Sequence, residues 1–224
     1  MQTKPHDRRQ SNESPAGVAA RERIVAGARS RFFSHGFRGV TMDDLAEELG
    51  MSKKTLYAHF SSKTALLEAV LLDKFGGVET DLERITSESS ADFLEALSQL
   101  LACVQRHTGE IQPPFLRDIR REAPDMFKLV ESRRRTLIER HFGKLLGEGR
   151  RLGVIRKDVP ANLILEILLG AVEAIMNPAK LEELNLAPKT AYSAIINVVF
   201  EGVVAATKSR KSVVTADKAR ALKS

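Results

Sequence analysis

Apolar positions between residues 18 and 72 recur at intervals of three and four, and serine, threonine and glycine punctuate them. Ile24, Ala28, Phe32 and Phe33 form one stripe, and Gly36 predicts its end. Thr41-x-x-Asp44 predicts a capped second helix with Leu45, Ala46 and Leu49 on its apolar face and Gly50 as its stop. Ser52 predicts the cap of a third helix. Ser62 predicts that of a fourth, running through Leu66, Leu67, Val70 and Leu71 towards Gly76-Gly77. Further stripes predict helices over 92–107, 113–121, 124–149, 160–176 and 189–207, with prolines 113, 124, 160 and 188 in or just before first turns. No alternating pattern bounded by hairpin turns occurs, so the predicted fold class is all-α.

The third predicted helix carries unusual chemistry. Only Gly50-Met51-Ser52 separates it from the second, which suits a steep helix-turn-helix crossing. Leu56 and Phe60, four apart, turn inward towards Leu45 and Leu49. Lys53, Lys54, Thr55 and Tyr57 then face outward, with His59 at the edge. A helix N-terminus is already partly positive, so Lys53, Lys54 and Lys63 at helix starts cost a few tenths of a kcal/mol each. A polyanion would offset that cost, because phosphates meet backbone N–H groups, the dipole and lysines together. This motif reads bases with the N-terminus of that helix in the major groove. The chemistry points to DNA.

Charge and composition refine this picture. The net charge is +6, but residues 208–224 hold six basic residues and one acid, so bulk charge says little about the folded part. Hydrophobic content of 43% and charged content of 29% fit a globular protein. A single cysteine, Cys103, excludes an internal disulfide, and 163–176, interrupted by Glu166 and Glu173, is too short to span a bilayer. With no apolar signal-peptide core, the expectation is a cytoplasmic protein without membrane contact. Neither a P-loop nor Gly-x-Ser-x-Gly, His-Glu-x-x-His or a Cys-His pairing is present, so an enzyme is not expected, nor a cofactor or metal. His107 and His141 lack metal-ligand spacing, and Cys103 reads as a small core residue.

The run from Thr41 to Leu67, TMDDLAEELGMSKKTLYAHFSSKTALL, resembles the DNA-binding segment of the TetR family of bacterial transcriptional regulators. Thr-Leu-Tyr-x-His-Phe-x-x-Lys, Thr55 to Lys63, is its most specific part, and the resemblance covers roughly residues 18–72. It implies an N-terminal three-helix helix-turn-helix domain joined to a larger helical ligand-binding and dimerisation domain. The expected layout is a flexible arm (1–17), the DNA-binding domain (18–72), an effector-binding and dimerisation domain (73–207) and a basic flexible tail (208–224). Carried over by position, Lys53, Lys54 and Thr55 match base-contacting sites, with Ser52 capping their helix. Tyr57, His59 and Lys63 match phosphate contacts, and Thr41 a backbone contact. Relatives often have glycine where Lys54 stands, so Lys54 either reads guanine or grips phosphate.

The same resemblance implies a homodimer on a palindromic operator, joined by helices 160–176 and 189–207 of each copy. Leu163, Ile167, Gly170, Ala171, Ala174, Ala194, Val198 and Gly202 are the interface candidates, small residues among them permitting close helix approach. A pocket for a small apolar or amphipathic effector is implied between the preceding helices. Phe93, Leu97, Leu100, Leu101, Phe115, Ile119, Phe127 and Val130 are its candidate lining, though such residues also serve as plain core. One arginine of Arg120-Arg121 or Arg133-Arg134-Arg135 could turn inward to an acidic ligand. The expected function is a sequence-specific DNA-binding regulator, a repressor released by an effector. The alternative is a helix-turn-helix protein acting as a protein-interaction module, or an activator without an effector.

Overall fold

Pro15 opens α1 (Pro15–His35), which turns Ile24, Ala28, Phe32 and Phe33 against α4 (Lys63–Ser87). The computed structural model describes residues 15–87 and 93–204. The arm expected over 1–17 therefore yields Pro15, Ala16 and Gly17 to α1, and its remainder and the basic tail lie outside the described residues. From α4, Leu66, Leu67, Val70 and Leu71 complete this first core. Burying a side chain of this size contributes roughly 1.5–3 kcal/mol. Across it lie two short helices, α2 (Met42–Glu48) and α3 (Lys53–His59), which pack on each other through Leu45 and Leu56.

The glycine pair Gly76-Gly77 does not end α4, which continues for another ten residues to Ser87. Both glycines are exposed, and a Cβ at either would meet nothing within 4 Å. Glycine costs a helix about 1 kcal/mol relative to alanine. Packing of Leu82 and Ile85, beyond the pair, outweighs that cost. The boundary expected between residues 72 and 73 thus falls inside one continuous helix. Replacing Gly76 and Gly77 with alanine is expected to raise stability by about 1–2 kcal/mol, read from urea unfolding.

The rest forms a helical layer around α4. In order come α5 (Phe93–Gly109), α6 (Pro113–Glu122), α7 (Pro124–Leu137), α8 (Gly143–Arg151), α9 (Ala161–Ile175), α10 (Pro178–Glu183) and α11 (Pro188–Val203). Pro113, Pro124 and Pro188 occupy first turns, and Pro160 caps α9. The single helix expected over 124–149 is divided by a π-helical turn, Ile138–Phe142, between α7 and α8. The short α10 went unpredicted, although Asn177 caps it by accepting from Lys180 N–H (3.0 Å) and Pro178 follows. The last helix, expected to reach residue 207, ends at Val203, and 205–207 lie outside the described residues. Among the described residues there is no strand, only an antiparallel bridge between Ile155 and Val204. None of their helices is long and apolar enough to cross a membrane.

The π-helical turn buries His141, whose Nδ1 meets Thr86 Oγ1 at 3.1 Å while Nε2 has no hydrogen-bond partner among the described residues. Burial holds the His141 imidazole below its usual titration range, and burial does the same to His107. A lowered folded pKa means that the unfolded chain takes up these protons first as pH falls. Stability is therefore expected to be retained above about pH 6.5 and to decline below it. Urea unfolding at pH 7.5 and 5.5 checks this, with His141→Gln expected to flatten the decline.

Candidate nucleic-acid interface and interior cavity

The outward face of α3 is fixed from both ends. Thr41 caps α2 through a reciprocal pair: its Oγ1 accepts from Asp44 N–H at 3.1 Å, and its own N–H donates to Asp44 Oδ2 at 2.9 Å. Gly50, at φ +63°, takes the left-handed turn into the connection. Ser52 Oγ accepts from Thr55 N–H (3.0 Å), and the two hydroxyls, Ser52 Oγ and Thr55 Oγ1, are hydrogen-bonded to each other at 2.8 Å. Leu56 and Phe60 anchor the other side, both buried. The guanidinium of Arg21 lies 4.9 Å from the Phe60 ring. Lys53, Lys54, Thr55 and Tyr57 are left in solvent on one surface, with His59 half-buried beside them.

Two of the three lysines at helix starts are balanced within the chain. Lys53 Nζ pairs with Asp43 at 2.5 Å, joining the starts of α3 and α2. Lys63 Nζ lies 4.2 Å from the Phe37 ring centroid and donates weakly to the Arg38 carbonyl (3.5 Å), and burial lowers its proton affinity. Sequence reasoning missed both partners, so an external polyanion is not needed to explain Lys53 or Lys63. Among the described residues Lys54 alone of the three has no ion-pair or ring partner. Thr41 and Ser52 act in the free protein as caps.

Beneath α1 lies a second feature, a largely apolar cavity of about 130 Å³. Phe33 of α1, Leu71, Phe75, Val78 and Leu82 of α4, and Phe115 and Leu116 of α6 contribute to its walls. Val130 and Arg134 of α7, Ile138 and Phe142 of the π-helical turn, and Tyr192 of α11 contribute as well. Of the eight predicted lining residues only Phe115 and Val130 reach it. The other six belong to the packed core or its margin. Phe93 presses on α8, where a Cβ at Gly149 would lie 2.6 Å from its ring, and Leu97 and Leu100 are buried on α5. Ile119 is buried on α6, Leu101 packs against the core, and Phe127 lies under the Arg120 guanidinium at 5.7 Å. It is instead Val104, His107 and Thr108 of α5 that meet the cavity.

A chain of ion pairs closes one wall. Glu110 accepts from Arg29 (2.6 Å) and from Lys74 (2.9 Å), and Lys74 donates to His107 Nδ1 (3.1 Å). His107 Nε2–H then donates to Asp81 (2.8 Å), which also pairs with Arg106 (2.8 Å). These bonds make His107 a neutral imidazole and hold the Asp81 carboxyl below its usual range, chiefly through the His107 bond. Asp81, Cys103 and His107 place donor atoms within 4.8 Å of one another. Both nitrogens of His107 are spent and Lys74 and Arg106 flank the group, so it does not fit a cation site. Burial pushes the Cys103 thiol up, away from the reactive thiolate.

A third surface runs along α9 and α11. Leu163, Ile167 and Val198 stand in solvent at 48%, 52% and 72% exposure, with Gly170, Ala174, Ala194 and Gly202 exposed and Ala171 half-buried. Three of the large hydrophobic side chains exposed among the described residues thus lie on these two helices.

The profile of bacterial regulatory proteins of the tetR family matches residues 24–70, the segment that carries α2, α3 and the start of α4. Similarity to known regulators continues well beyond it. The HTH-type transcriptional regulator YvaF of Bacillus subtilis (strain 168) is 27% identical over 188 residues, 82% of this chain and 95% of its own. The chain is a TetR-family transcriptional regulator. Another relative of this TetR-family regulator is the HTH-type transcriptional repressor DhaR of Mycobacterium sp. (strain GP1), 22% identical over 87% of this chain and 97% of its own. The fold matches a putative transcriptional regulator from Saccharomonospora viridis solved in complex with choline. That match has a TM-score of 0.63 and 22% identity, and it covers 84% of this chain and 99% of that one. A TetR-family regulator works by binding DNA, not by catalysis.

Proposed function

We propose that this TetR-family regulator is a homodimeric repressor that holds a palindromic operator through α3 and leaves it when a small molecule enters the interior cavity. The observation that carries this reading is the outward display of Lys53, Lys54, Thr55 and Tyr57 on a helix anchored by buried Leu56 and Phe60. In this reading Lys54 and Thr55 approach base edges. Thr41, Ser52, Tyr57, His59 and Lys63 lie along phosphates, and Lys53 exchanges Asp43 for a phosphate when DNA arrives. The exposed faces of α9 and α11 pair with those of a second copy, which supplies the two-fold symmetry a palindrome requires. Repression agrees with the role named for DhaR, and a small-molecule effector with the choline complex of the Saccharomonospora protein.

The cavity is built so that an occupant would be felt at the DNA surface. Phe33 of α1 and five residues of α4 line it, and α1 and α4 frame α2 and α3. An effector that binds better when α4 is displaced shifts the population towards a spacing of recognition helices that fits the operator poorly. Footprinting of the DNA flanking the protein's own gene tests the reading: a discrete, two-fold symmetric protection supports it, and salt-sensitive smearing alone overturns it. Lys54→Ala is expected to weaken binding and, if Lys54 grips phosphate, to reduce the salt slope by about 1. A base-reading Lys54 would instead cost about 1–3 kcal/mol and relax preference at one position. Titrations across salt and across operator variants separate the two.

A further inference from the structure

Arg134 is the cation that the cavity leaves unsettled. Its side chain is only 19% exposed, and its one ion-pair partner among the described residues, Glu131, stands at 4.0 Å, the outer limit of such a contact. Glu173 and the Tyr192 phenol also act on its charge, and on its other side it borders a smaller polar pocket with Glu131, Ser132, Arg135 and Glu173. Lys74, on the same cavity, differs in kind: Glu110, which it shares with Arg29, accepts from it at 2.9 Å, and His107 takes a further hydrogen bond. Burial depresses the proton affinity of the Arg134 guanidinium, yet an arginine stays charged in a protein. Burial also pushes the Tyr192 phenol up to about 12, which leaves it a neutral hydroxyl at ordinary pH. An apolar chamber thus presents one under-compensated guanidinium beside a hydroxyl.

We infer that the effector is a small organic acid, its carboxylate held by Arg134 and Tyr192 and its hydrocarbon part lying against Val78, Phe115 and Phe142. The inference rests on the reading of this cavity as the effector site. A planar guanidinium matches a carboxylate with two parallel hydrogen bonds, and a dry surrounding strengthens them. A neutral ligand would cover Arg134 without compensating it, and a cationic ligand would add a second buried positive charge. Size narrows the class. An apolar cavity of about 150 Å³ accommodates benzene, so the 130 Å³ available here suits a six-carbon ring or chain.

Full-length protein titrated calorimetrically with benzoate and hexanoate, each against its alcohol and amine counterpart and against acetate, tests this directly. The acids are expected to bind one per protomer, at least about tenfold more tightly than the alcohols and more tightly still than the amines. Arg134→Met is expected to erase the preference for acid over alcohol, and Arg134→Lys to retain part of it. Alcohols or amines binding as well as acids, no binding by either acid, or an unchanged preference in a folded Arg134→Met protein would each overturn the proposal. The wild-type comparison needs no variant to fold. A parallel operator footprint separates the two ideas. Acids that bind without clearing the operator leave the acid site standing and remove the release reading. Alcohols that bind and clear it do the reverse.

Discussion

Changing Val198 to aspartate is expected to produce a folded monomer that no longer protects a two-fold operator. Val198 is 72% exposed in the protomer, so the substitution costs the isolated chain little, within about 0.5 kcal/mol. In the proposed dimer it lies with Leu163 and Ile167 on the shared face, and the two-fold axis doubles every change. An uncompensated charge buried there costs on the order of 3–5 kcal/mol, enough to raise the dimer dissociation constant by roughly two to four orders of magnitude. Sedimentation equilibrium reads the assembly, circular dichroism the fold and footprinting the operator. Leu72→Asp, at another exposed leucine on α4, is the control that should leave assembly unchanged. A Val198→Asp protein that remains dimeric would remove α11 from the interface.

Signals that act within a few residues were legible in the sequence. The Thr41–Asp44 capping box, the Ser52 cap, the Gly50 turn and the inward spacing of Leu56 and Phe60 each involve neighbours along the chain, and the structure reproduces each. What failed depended on contacts between elements. The Lys53–Asp43 pair joins side chains ten residues apart on two helices, a pairing that no spacing rule within one helix reports. Gly76-Gly77 resembles a stop because propensity argues for one, and packing beyond the pair overrules it. Val78 and Leu82, beyond the pair on α4, line the cavity, whereas the lining implied by the resemblance lies on the helices that follow α4. Of the three consecutive arginines on α7, only the middle one, Arg134, turns to the cavity, and rotation about a helix axis decides that. The π-helical turn changes that rotation further along and brings Ile138 and Phe142 to the wall.

Asp118→Ala is expected to loosen the seam between the cavity and the DNA-binding helices. Asp118 is nearly buried on α6, the helix that also gives Phe115 and Leu116 to the cavity. Its Oδ2 accepts from the Arg38 backbone N–H at 2.9 Å, just ahead of the Thr41 cap, while Lys63 reaches the Arg38 carbonyl from the other side. Gly36, at φ +85°, makes room for the carboxylate: a Cβ there would stand 2.5 Å from Asp118 Oδ2. Alanine leaves the Arg38 N–H without its acceptor, a loss of about 1.5–3 kcal/mol, or roughly 5–10 °C in melting temperature for a chain of this size. Asparagine keeps an acceptor oxygen and is expected to lose about half as much. If alanine and asparagine melt together, the charge matters and the hydrogen bond does not, and Arg117 at 3.9 Å becomes the relevant partner. If both melt with the wild type, water serves Arg38 as well as the carboxylate does, and the path from cavity to α3 runs through α4 alone. A cost confined to alanine would instead make the α6 carboxylate a second mechanical link, because any shift of Phe115 or Leu116 by a ligand would then pull on the backbone that leads into α2.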